Sequence, residues 1–145
     1  MMKEAKALAL EILKTTFVKN KYQGGFLNQN AVFKSVATHL ERAHLRMIEP
    51  GVKNKYCSQG VMAFAINYIG DSMNVCPIGL FQSKELLAQI FIHEAVHLAA
   101  GRNECKATMI ETMAMHFSNQ SEALKNGHWE TCKTEEILEK VRLAN

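Results

Sequence analysis

Apolar residues along this chain change their period several times, and each regime predicts an element. Over residues 3–18, Ala7, Leu10, Ile12, Leu13 and Phe17 recur among Lys and Glu, the pattern of an amphipathic helix. Lys19 to Gly25 is polar and ends in two glycines, which predicts a turn. From 28 to 48, Val32, Phe33, Val36, Leu40, Leu45 and Ile48 keep near-helical spacing, so one second helix is expected across that stretch. His39 and His44 fall on or beside its stripe and read as surface or packed histidines. Pro50-Gly51 stops this helix and opens an irregular segment to Gly60. Residues 61–69 form an apolar run that predicts a buried strand, Gly70-Asp71-Ser72 a turn, and residues 73–76 a short returning strand. Residues 83–100 and 104–118 predict two helices separated by Gly101. Asn126 to Trp129 is expected to turn, and 135–143 to form a last short helix.

The elements add up to an α+β class, mostly helical, with a small antiparallel hairpin or sheet ahead of helix 83–100. At 145 residues and 48% apolar composition, residues 1–145 suffice for a single domain with its own core. The formal charge is +3, from 17 basic and 14 acidic residues, and no basic cluster is interleaved with aromatics. Nucleic acid is therefore not an expected partner. Charged residues break every apolar run before the ~18 residues of a membrane span. Glu4 and Glu11 likewise interrupt the first segment too early for a secretion leader, which again favours an amphipathic helix. The eight methionines read as core filler.

Candidate chemistry lies in His93-Glu94-Ala95-Val96-His97, inside the apolar helix 83–100. Side chains four apart stack on one helical face, so His93 and His97 can each offer a ring nitrogen to one Zn²⁺. Glu94 lies beside them, where its carboxylate can take a proton from water held at the metal. A catalytic zinc usually takes three protein ligands. Glu104, Thr108 and Glu111 fall at i, i+4 and i+7 of the next helix, on one face. Glu104 follows directly on the Gly101 turn and is the preferred third ligand. Glu111 is two turns deeper and would reach the metal only if the two helices packed along their length. Thr108 is expected to orient a ligand by a hydrogen bond. A plain first-turn acid would also favour a helix N-terminus at Glu104.

The four cysteines, Cys57, Cys76, Cys105 and Cys132, contain no Cys-x-x-Cys pair, which argues against a finger-type zinc site. Three pairings are open. Cys57–Cys76 with Cys105–Cys132 is preferred, because the second bridge would stiffen the segment carrying Glu104. Bridges favour a secreted or periplasmic location over the cytoplasm, where four reduced thiols would be expected.

These residues resemble the zincin metallopeptidases. Asn103-Glu104 followed by Thr108 looks like the glutamate-ligand helix of gluzincins, with Thr108 where an Asp is usual and a shorter spacing from HExxH than in thermolysin-like enzymes. Asn74 to Phe81, the HExxH helix and Gly101 are more similar to the deuterolysin and peptidyl-lysine endopeptidase group, the aspzincins. Arg102 stands where that group has Thr, and Glu104 where it has an Asp ligand. The resemblance spans about residues 56–112. It implies a zincin-like domain that cleaves a peptide bond in a protein or cell-wall peptide, with Zn²⁺ as cofactor and Glu94 as base. It also implies that the strand before the HExxH helix pairs with an extended substrate. A donor for the developing oxyanion is then required. His128 is the first candidate, with His116, Tyr68 and Tyr56 behind it. Two other readings remain open: a metal-binding or structural protein without turnover, and a bacterial toxin acting on a rival's wall or proteins. An inhibitor or immunity protein would be a partner in the last case.

Overall fold

A computed structural model of the chain describes residues 1–19, 29–66, 70–101 and 103–118. The turn expected after Lys19, the turn at 126–129 and the helix at 135–143 lie outside the described residues. Within them the order is α1 (Met2–Lys19), α2 (Gln29–Arg42), β1 (His44–Met47), β2 (Ala63–Ile66), β3 (Ser72–Val75), α3 (Lys84–Ala100) and α4 (Glu104–Phe117). The class is α+β and mostly helical, with one small sheet. Among the described residues no helix is long and apolar enough to cross a membrane.

Helix α3 is the axis of the molecule. Leu87, Ala88, Ile90, Phe91, Ile92, Ala95, Val96 and Leu98 are all buried, so its apolar residues run round the whole circumference. Such a helix has no solvent face and must be enclosed. Helices α1, α2 and α4 and strand β2 all pack on it. Its start is fixed by Ser83, whose hydroxyl accepts the Leu86 backbone N–H at 3.1 Å. Its end is fixed by Gly101, at φ 92°, ψ −162°, whose N–H returns to the His97 carbonyl at 3.0 Å. A side chain at that positive φ would be strained.

The second helix is shorter than its apolar spacing predicts. It stops at Arg42, and residues 44–47 form β1 instead. Leu45 and Ile48, three apart, fit a helical stripe and not the alternation of a strand, so sheet pairing overrides the local spacing here. β1 runs parallel to β3, from His44 opposite Ser72 to Met47 opposite Val75. The His44 N–H reaches the Asp71 carbonyl at 3.0 Å and the Ile48 N–H the Val75 carbonyl at 2.9 Å. The ammonium of Lys6, from α1, donates to the Glu41 and Ala43 carbonyls, both at 2.9 Å, and so caps the end of α2. His39 contacts Asp71 at 2.7 Å, tying the last turn of α2 to the start of β3.

The expected hairpin is present as β2 antiparallel to β3, with Ala63 opposite Val75 and Ile66 opposite Ser72. The sheet order β1-β3-β2 makes it a mixed three-stranded sheet and leaves β2 at an edge among the described residues. The Cys57–Cys76 disulfide joins the loop before β2 to the end of β3, as expected. Cys105 is also disulfide-bonded; Cys132, its expected partner, lies outside the described residues.

Close packing fixes the chain where β3 passes into α3. The Met62 carbonyl accepts the Cys76 N–H at 2.9 Å, and a Cβ added at Gly79 would sit 2.5 Å from that same oxygen. The Met62 backbone on one side and the Val75 side chain, 3.0 Å away, leave little room to yield. Gly79→Ala is therefore expected to destabilise the fold by about 1–3 kcal/mol, measured as a lower urea midpoint with unchanged far-UV circular dichroism.

Candidate metal centre

Two imidazoles one turn apart can bind one ion only if one nitrogen of each is directed to the same point. Helix α3 brings His93 and His97 together with ring centroids 5.0 Å apart. In each ring Nδ1 is engaged elsewhere. His93 Nδ1 lies 2.7 Å from Glu111 Oε1, on α4. His97 Nδ1 lies 2.8 Å from the carbonyl oxygen of Gly101. Donation from Nδ1 leaves the Nε2 lone pair as the one each ring can offer.

Both Nε2 atoms face Glu104. His93 Nε2 is 3.0 Å from Glu104 Oε2, and His97 Nε2 is 2.9 Å from Glu104 Oε1. The His97 contact is close but poorly aligned, and its buried Nε2 makes no hydrogen bond. A buried nitrogen aimed at a carboxylate without a bond is the arrangement expected of an atom reserved for a ligand. One donor atom from each of His93, His97 and Glu104 fits within 4.8 Å of the others. Two imidazoles and a carboxylate suit Zn²⁺, and also Fe(II) or Mn²⁺.

Local sequence explains why Glu104 arrives there. Asn103 caps α4, its side-chain oxygen accepting the Lys106 N–H at 3.0 Å. The Gly101 turn and this cap put Glu104 at the first position of α4, with its carboxylate turned back on α3. It is 53% exposed, so the third donor is on the open side of the group, while His93 is buried. Thr108, buried one turn further along, lines the same cleft.

Glu111 plays a part the spacing did not disclose. The two helices do pack along their length, but Glu111 takes the far nitrogen of His93 instead of the converging one. Its carboxylate is 1% exposed. The signal was present: an acid inside Met109-Ile110-Glu111-Thr112-Met113-Ala114 has to find a partner in the core. The Gly101 carbonyl, as backbone, gave no signal at all.

Glu94 is half-buried on the same cleft, of about 620 Å³, which runs along β2. Burial pushes its carboxyl up to about 7; the His93 charge and the Ala65 backbone N–H oppose that, while Glu104 and Glu111 add to it. Burial works against an imidazolium at His93. The hydrogen bond and charge of Glu111, helped by Glu94 and Glu104, outweigh it and raise the value to about 9. Of the proposed oxyanion donors, Tyr56 lines the cleft. His128, Tyr68 and the His116 side chain lie outside the described residues.

No family model, curated protein or solved structure matches the chain.

Two measurements follow. Glu111→Gln keeps an acceptor for His93 Nδ1 but removes the charge behind it, so Zn²⁺ affinity should fall roughly 10- to 100-fold, read by competition with a chromophoric chelator. In the metal-free protein, His93 is raised from 6.5 to about 9 and Glu94 from 4.5 to about 7. The folded state then holds more protons than the unfolded one through this range, so stability declines with rising pH. The Glu94 contribution is lost between about pH 4.5 and 7 and the His93 contribution between about 6.5 and 9. Thermal midpoints taken with a chelator present should decrease across that window, and Zn²⁺ should reverse the trend because its binding displaces the protons.

Proposed function

We propose that this chain is a zinc-dependent hydrolase, a metallopeptidase of the HExxH type. The observation that carries the reading is the convergence of His93 Nε2, His97 Nε2 and the Glu104 carboxylate, with each Nδ1 held by a separate acceptor. Three protein donors leave a position for water, as at catalytic zinc sites. When bound, zinc would supply Lewis acidity, lowering the pKa of water and polarising a carbonyl.

The protein's own residues divide the remaining work. Glu94 is the general base. Its carboxyl lines the cleft beside the three donors, where it could take a proton from water and pass it to a leaving amine. Glu111 holds His93 by Nδ1, and the Gly101 carbonyl holds His97 in the same way. Together they keep both rings turned to one point. Among the described residues the outer side of β2 pairs with no further strand and lines the cleft beside Glu94, so an extended peptide could add to the sheet and lie across it. The Cys57–Cys76 bridge fits an oxidising, extracellular setting for this activity.

Replacing Glu94 with Gln separates binding from chemistry. The variant should retain stoichiometric zinc and lose roughly 100- to 10,000-fold in peptide hydrolysis. Zinc content is read by elemental analysis, and cleavage by mass spectrometry of a peptide pool. Unchanged hydrolysis would remove Glu94 as base, and wild type free of zinc after loading and dialysis would remove the metal.

A further inference from the structure

Large apolar side chains are exposed at few places in this molecule, and nearly all of those places adjoin. Among the described residues the exposed ones are Met1, Met47, Val52, Tyr56, Ile78 and Phe81. Scattered singly, such residues need no explanation. Here all but Met1 come from two stretches of chain, 47–56 and 78–81, that meet at one end of the sheet. Met47, the last residue of β1, lies opposite Val75 of β3, and the Ile48 N–H reaches the Val75 carbonyl at 2.9 Å. Cys57 and Cys76 tie the two stretches together through their disulfide, at a Cα separation of 5.4 Å.

Local geometry turns these side chains outward. Pro77–Phe81 form a 3₁₀ turn, in which side chains three apart share a side. Gly79, the buried residue of that turn, packs against the Met62 carbonyl. Ile78 and Phe81 share another side, and Phe81 is 86% exposed, with almost its whole ring in water. Val52 closes a turn on the Glu49 carbonyl at 3.2 Å and is 57% exposed. Cations accompany them. Arg46, Lys53, Lys55 and Lys84 neighbour these residues in sequence and are all exposed, against Glu49 and Glu85 on the acidic side. The Lys55 ammonium lies over the Tyr56 ring, 5.0 Å from its centroid, so this apolar ring carries a positive charge at its face.

We infer that this end of the sheet docks on an anionic lipid surface. The apolar residues enter the boundary between headgroups and acyl chains, and the lysines meet the lipid phosphates. Charge and shape favour lipid over a protein partner. Cations outnumber acids two to one beside the apolar residues, which project from two turns and line no groove. A bilayer offers negative charge with hydrocarbon directly beneath it, so it satisfies both kinds of side chain at once. Nothing in this inference rests on the hydrolase reading. Tyr56 also lines the cleft, so docking would set the mouth of the cleft beside the membrane.

The test uses the full chain with its disulfides intact and vesicles of phosphatidylcholine, alone or mixed equally with phosphatidylglycerol. Co-sedimentation should show binding to the mixed vesicles roughly tenfold tighter or more than to phosphatidylcholine, weakening as salt is raised. Phe81→Ser should reduce that binding roughly tenfold, with unchanged far-UV circular dichroism because the side chain is exposed. Changing Lys53, Lys55 and Lys84 together to Gln should weaken it by a similar factor or more. The same loss of charge at Lys3, Lys14 and Lys34, on α1 and α2, should weaken it little. Equal losses from the two triple variants, full binding by Phe81→Ser, or no binding of wild type to the mixed vesicles would overturn the inference. So would self-association that Phe81→Ser abolishes, seen by analytical ultracentrifugation without vesicle binding, since the surface would then join copies of the chain.

Discussion

A helix with no solvent face sets the terms for everything else in this protein. Helix α3 is enclosed by three helices and a strand, yet carries two histidines and a glutamate. A buried imidazole has two nitrogens to satisfy, and leaving either one bare costs free energy. The fold meets that demand for the two Nδ1 atoms with a buried carboxylate from α4 and a carbonyl from the turn. The Nε2 atoms are then constrained by elimination. They share one exposed-side carboxylate, and the centre forms where the core gives way to the cleft.

Electrostatics follow from the same enclosure. Three carboxylates, Glu94, Glu104 and Glu111, lie around one imidazole pair, and charge repulsion among them would be severe without cations or protons. In the metal-free protein protons lower that charge: burial chiefly raises Glu94, with Glu104 and Glu111 adding to it, and the Glu111 hydrogen bond and charge raise His93 against its burial. A divalent ion would take over the same neutralising task. The acids therefore occupy distinct places: Glu111 holds His93 Nδ1, Glu104 faces both Nε2 atoms, and Glu94 lines the cleft beside them.

Much of this was legible in the chain, though unevenly. The apolar run and the Gly101 stop placed α3 to within a residue, because hydrophobicity and a glycine end agree there, while the Ser83 cap emerged only with the structure. The spacing of His93, His97 and Glu104 brought those three to one candidate group because i, i+4 geometry and a one-glycine turn are local facts. The strand β1 was hidden, since Leu45 and Ile48 continue the helical spacing of α2 and only pairing with β3, some thirty residues later in sequence, overrides it. The parallel arrangement was equally out of reach of a local pattern. The contact of Glu111 with His93 depends on how α4 packs on α3, which no spacing rule within one helix contains.

The disulfide between Cys57 and Cys76 has a consequence for how such a protein can change over time. It anchors a loop to the rim of the sheet, so that residues within the loop can be exchanged with little effect on helical packing. Helix α3 tolerates little such freedom, since its residues 87–93 are buried all round. Loop and helix are thus separately mutable pieces of chain, and substitutions should accumulate in the bridged loop well before they reach the enclosed helix.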